Sequence, residues 1–177
     1  MRISVINEQK VGKVRIPALR KVTEFLLGKA GRRAGLQWGA VSVILADDAT
    51  CREINKAHLG HDCSTDVVSF NFDAIPGEAA GGLCGEIVVN VEQACRLGPR
   101  YGGIDHELAL YIAHGCDHLA GGEDDTVAER QRMRRRELGW LKEAAMKGLM
   151  SGLFKRYCSG SQNSEFRSQN ERSREDI

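Results

Sequence analysis

A chain of 177 residues, 42% hydrophobic and 28% charged, has the balance of a globular protein long enough to bury one ordinary core, which excludes a disordered or fibrous polypeptide. Its formal net charge of +1 excludes an overall electrostatic pull on nucleic acid, so RNA binding would need a local basic patch. The longest apolar stretch, Ala40 to Ala46 broken only by Ser42, is too short to cross a bilayer. The N-terminus turns polar at Asn7-Glu8 before a signal-peptide core could form, so a cytoplasmic protein without membrane contact is expected.

Ile3, Val5 and their neighbours read as a first strand. Pro17 then opens a helix through Val22, Phe25 and Leu26, which Gly28 and Gly31 are expected to end. The run from Val41 to Leu45 is apolar on both faces, as an interior strand covered on each side would be. Asp47 or Asp48 caps the helix that follows. Asp66 to Phe72 and Leu83 to Val91 read as two strands, and the connection carrying Pro76, Gly77, Gly81 and Gly82 allows them to pair antiparallel.

From Asp105 the pattern is helical again until Gly121-Gly122. A last helix is expected from about Thr126 to about Gly152, with Leu138, Leu141, Ala145 and Leu149 as its buried stripe. Beyond Tyr157 the composition is serine-rich, polar and charged, and a disordered tail over 157–177 is expected. The fold class expected is α+β: a single domain over 1–156, with helices packed on a small mixed sheet of about four strands. The six cysteines show no CxxC pairing, which fits reduced thiols.

The chemistry is concentrated after Asp105. His114 and His118 lie four residues apart on one face of a helix, so both rings can present a nitrogen to one ion at about 2.0–2.1 Å. The chain then turns at Gly121-Gly122 and returns carrying Glu123, Asp124 and Asp125, any of which can reach the ion. Three protein ligands with a fourth position open to water is the pattern of a catalytic metal rather than a structural one. Gly115 stands where HExxH peptidases carry their glutamate base, which argues against that class. Farther on, Arg130, Arg132, Arg134, Arg135 and Arg136 make a basic cluster interleaved with Glu129 and Glu137. It is either a solvated face or a contact for RNA phosphates, with Arg130 and Arg134 the candidates.

The segment from His114 to Asp124, HGCDHLAGGED, resembles the HGxxHLxG signature of the YbeY family of endoribonucleases, which is followed by a third ligand that is usually histidine. Ser64 to Phe70, STDVVSF, resembles the family's PTDVLSF strand, and Gly85 to Val89 is similar to its GDI-type strand. Asn7-Glu8-Gln9 and Glu107-Leu108-Ala109 sit where the family has similar residues, so the resemblance spans roughly residues 3 to 150. It implies a zinc ion on a central helix, held by His114, His118 and Asp124, and cleavage of single-stranded RNA. It also implies a part in maturing small-subunit ribosomal RNA and in ribosome quality control, with ribosomal RNA and the small subunit as partners and no nucleotide cofactor. Two positions depart from the pattern. Asp124 replaces the third histidine, a set that also resembles the facial triad of non-haem iron. Leu59 stands where the family has an arginine serving phosphate chemistry, and leucine has no hydrogen-bond donor.

Overall fold

Alternation and turn chemistry account for the sheet. The computed structural model describes residues 1–72 and 82–156. Strands Arg2–Asn7 (β1), Trp38–Ala46 (β3), Val67–Phe72 (β4) and Leu83–Asn90 (β5) form a mixed sheet in the order β1-β3-β5-β4. β1 and β5 flank β3 in parallel, with Val5 beside Val43 and Val43 beside Ile87. The expected antiparallel pairing of β4 with β5 is present, Val68 opposite Val88, while residues 73–81 of the connection lie outside the described part. β3 is covered on both sides, as its apolar run predicted. Val41, Val43 and Leu45 join the main core, whereas Ile44 and Ala46 pack in a smaller cluster with Cys51, Val68 and Val88.

The main core is filled by helices Ile16–Ala34 (α1) and Ile104–Leu119 (α4), and by one side of Val127–Met146 (α5). Asp48–Leu59 (α2) is capped by Asp47, whose carboxylate accepts from the Thr50 N–H at 2.8 Å. Val91–Leu97 (α3) is capped in the same way by Asn90, and a 3-10 turn at Gly98–Arg100 leads into α4. α4 is the central helix, with eleven of its residues buried among α1, α5 and the sheet. Gly115 makes that position attainable: a Cβ there would lie 2.5 Å from Ile87 Cγ2. This is a single α+β domain, and among the described residues no helix is long and apolar enough to cross a membrane.

Three sequence expectations are corrected. α1 does not stop at Gly28 or Gly31, because its buried stripe continues past Gly28 through Ala30 and Gly31 to the partly buried Ala34; it ends at Gly35, in the left-handed region at φ 68°. Gly31 serves packing instead, since a Cβ there would meet the Trp38 indole at 2.8 Å. α5 ends at Met146 rather than near Gly152, and Leu149 packs on the core from beyond the helix. Its buried stripe is Met133, Glu137, Trp140, Leu141 and Ala144, while Leu138 and Ala145 are exposed, because the helix turns Glu137 towards α4.

Sequence patterning also missed a small antiparallel pair, Gly12–Val14 (β2) with Phe154–Arg156 (β6). Each strand is too short to show a period. The buried Gln9 builds the turn into β2: its carbonyl accepts from the N–H groups of Val11 and Gly12, and its amide donates to Asn7 Oδ1 and the Gly12 carbonyl. At the other end of the pair, the Asp105 carboxylate accepts from the N–H groups of Gly152 and Phe154. The expected tail over 157–177 lies outside the described residues.

Candidate metal centre

On α4 the four-residue spacing places the His114 and His118 rings side by side, with their Nε2 atoms 3.1 Å apart. Each ring is oriented through its other nitrogen. His114 Nδ1 donates to Glu137 Oε1 at 2.7 Å, and His118 Nδ1 donates to the Gly122 carbonyl at 2.9 Å. Both acceptors lack a proton to give, so each Nδ1 carries the hydrogen and each Nε2 turns a lone pair to the same point. Burial opposes the charged imidazolium of His114, but the Glu137 carboxylate outweighs it and the ring's pKa lies above its ordinary value.

The glycine break brings in the third group. Gly121 takes φ 76°, and the Gly122 N–H donates to the Asp117 carbonyl at 2.8 Å, which turns the chain back over the last turn of α4. The Asp124 carboxylate then lies 3.7 Å from His114 Nε2 and 3.8 Å from His118 Nε2. Of the three acidic residues after the break, the structure brings Asp124 to the histidines, and among the described residues this is the one group of its kind that could hold a metal ion. A tetrahedral ion with bonds of about 2.0–2.1 Å separates its ligand atoms by roughly 3.3–3.4 Å. The observed separations bracket that value, so the residues fit the ion.

The loop carrying Asp124 is fixed from α5. Thr126 and Glu129 form a reciprocal cap at the helix start, and Arg130 Nη1 donates to the carbonyls of Asp124 and Asp125 at 2.8 and 2.9 Å. Behind the site, Asp117 is buried between Arg136 and Arg33. Burial pushes its carboxyl up from the ordinary value, while two guanidinium groups at 2.6 and 3.1 Å pull it back. This lock ties α4 to α1 and α5. In front, a cavity of about 250 Å³ is lined by Asp66, Leu110, His114, Asp124, Arg130, Arg134 and Glu137. Asp66 thus reaches the cleft. Thr65 instead supports it, donating from Oγ1 to Asp66 Oδ1 at 3.1 Å.

Glu137 and the bracing role of Arg130 were missed by sequence reasoning. Glu137 is 23 residues from His114, and its one signal in the sequence was an acid directly after three arginines, four residues on from the apolar Met133 and so on the same face of the helix. Leu59 ends α2, and its side chain lies outside the described part. Of the basic residues near it, Arg52 is paired with Asp62 at 2.6 Å, and the exposed His58 ring rests edge-on against Phe70.

The fold and this site together define a single-domain α+β protein carrying a chelating histidine pair on its central helix. The family model described as Endoribonuclease YbeY matches residues 4–145. Curated relatives named Endoribonuclease YbeY include those of Elusimicrobium minutum, 38% identical over 68% of this chain and 87% of the relative, and Moorella thermoacetica, 34% identical over 77% and 93%. A third, from Rhodopirellula baltica, is 37% identical over 61% of this chain, and the match spans 55% of that longer relative. The solution structure of a Thermotoga maritima protein, 21% identical, has the same fold, with a TM-score of 0.51 over 90% of this chain and 99% of its own. The chain belongs to the YbeY endoribonuclease family, and that membership supports an RNA-cleaving hydrolase.

Proposed function

We propose that this protein is a zinc-dependent endoribonuclease that cuts single-stranded RNA in the cytoplasm, acting in maturation of small-subunit ribosomal RNA and in ribosome quality control. The observation that carries the metal-dependent reading is the convergence of two Nε2 lone pairs and the Asp124 carboxylate on one point, at separations a tetrahedral ion would span. His114, His118 and Asp124 would hold the zinc. When bound, zinc would supply Lewis acidity towards a phosphate oxygen and lower the pKa of a water. Glu137 and the Gly122 carbonyl keep both rings in the ligating tautomer. The basic edge of α5, with the exposed Arg134 at the cavity, would supply attraction for the RNA backbone that the net charge does not.

The test is cleavage of single-stranded ribosomal RNA by zinc-loaded protein beside His114→Ala. Cleavage by the unaltered chain alone is expected, and equal cleavage by both would reject the site. A second reading, a ribosome-associated binding factor with weakened chemistry, draws on Leu59, which cannot donate to a phosphate. Tight binding to small subunits without cleavage by either protein would favour it, and Leu59→Arg should then restore cutting.

A further inference from the structure

Two arginines one helical turn apart border the same cavity, yet their surroundings differ. Arg130 directs its guanidinium onto the carbonyls of Asp124 and Asp125 at 2.8 and 2.9 Å. Those carbonyls belong to the loop that sets the Asp124 carboxylate 3.7 and 3.8 Å from the histidine nitrogens. Arg134 is exposed and, among the described residues, makes no hydrogen bond or ion pair. It borders the cavity of about 250 Å³ beside His114 and Asp124. It also borders an open groove of about 430 Å³ whose other lining residues are Arg130, Gln131 and Arg135. No carboxylate lines that groove, and Arg130 and Arg134 border both it and the cleft.

We propose that the two residues divide the work: Arg130 is a positioning residue that fixes the Asp124 loop, and Arg134 binds an RNA phosphate next to the one being cut. The Arg134 half rests on the nuclease reading above, whereas the Arg130 half rests on zinc binding alone. Arg134 pairs with none of the carboxylates that share its cavity, Asp66, Asp124 and Glu137, and on its other side it adjoins Arg130 and Arg135, so its guanidinium keeps paired N–H donors for a phosphate. An arginine already committed to two backbone carbonyls carries geometry instead. Removing it frees the loop that presents a ligand, much as loss of a group supporting a metal ligand does.

The experiment compares Arg130→Gln, Arg130→Lys, Arg134→Gln and Arg134→Lys with the unaltered chain, each checked for folding by melting without metal. Zinc affinity is read by competition with a chromophoric chelator. RNA affinity is read by anisotropy of a labelled single-stranded oligoribonucleotide in excess zinc, between 50 and 200 mM salt. Arg130→Gln is expected to weaken zinc binding roughly tenfold or more, with Arg130→Lys intermediate. Arg134→Gln should bind zinc like the unaltered chain. It should bind RNA about fivefold more weakly, with the slope of log affinity against log salt reduced by about 0.7, and Arg134→Lys should restore the slope. Unchanged zinc affinity in Arg130→Gln would overturn the positioning role. Unchanged RNA affinity and slope in Arg134→Gln, in a chain that cuts RNA, would overturn the phosphate contact while leaving the nuclease reading intact. If the unaltered chain binds zinc but neither binds nor cuts RNA, the Arg134 assignment falls with the nuclease reading, and that of Arg130 stands or falls on the zinc measurement.

Discussion

Glu137 fixes which nitrogen of His114 faces the site, and it does so from within the core, with its side chain only 2% exposed. Replacing it with glutamine removes the negative charge and lets the amide offer either an N–H or a carbonyl to Nδ1, so the ring's tautomer is no longer imposed. Glu137→Gln should therefore fold normally and bind zinc on the order of ten to a hundred times more weakly, read by the same chelator competition. Zinc affinity equal to that of the unaltered chain would mean the carboxylate only fills space. That His114, His118 and an acid beyond the glycine break come together was legible in the sequence because spacing and a glycine break are local signals, although they left Glu123, Asp124 and Asp125 open. Glu137 was not, since pairing across 23 residues depends on how two helices pack.

Asp48 gives a second expectation at this scale. Arg96 beside it, against the opposing effect of burial and with help from Asn90 and Ser64, holds its carboxyl at about 2 instead of 3.8. A folded-state pKa below the unfolded one contributes stability that is fully present above about pH 4 and is lost as pH falls towards 2. Urea unfolding of Asp48→Asn should thus show a deficit at pH 6 that shrinks steadily at pH 3.5 and pH 2.5. A deficit that stays constant over that range would mean that packing, rather than charge, is what the substitution removes.

Among the elements, α4 has the least freedom. Its buried face, the Asp117 lock and the absence of a Cβ at Gly115 all set how closely it approaches β5. Gly115→Ala forces a methyl group against the Ile87 side chain, and overpacking of this kind costs about 1–3 kcal/mol. Calorimetric melting of metal-free protein should show the loss, and a melting temperature at or above that of the unaltered chain would mean the helix can shift without penalty. Boundaries followed the same logic. The cap at Asp47 was legible because its carboxylate bonds three residues on, whereas the end of α1 was misplaced because Gly31 answers to Trp38, a partner across a turn.

For the molecule as a whole, the α+β class, the interior place of β3 and the β4–β5 hairpin were legible because β3 is apolar on both faces and the turn-rich connection suits an antiparallel pair, whereas the order of the strands was not. The β2–β6 pair was not, since three-residue strands carry no pattern and meet only after the chain has closed on itself. That closure has a reach beyond its size. Gly152 and Phe154 seal the first turn of the helix whose last two turns bear the histidines, and Leu153 and Phe154 are buried in the main core. A chain cut after Met150 loses two core side chains worth about 1.5–3 kcal/mol each, and its melting temperature should fall by on the order of 10 °C. The last strand works like a buckle: it fastens one end of α4 from nearly fifty residues away, so a nick there should loosen the central helix without touching His114, His118 or Asp124 at the other end.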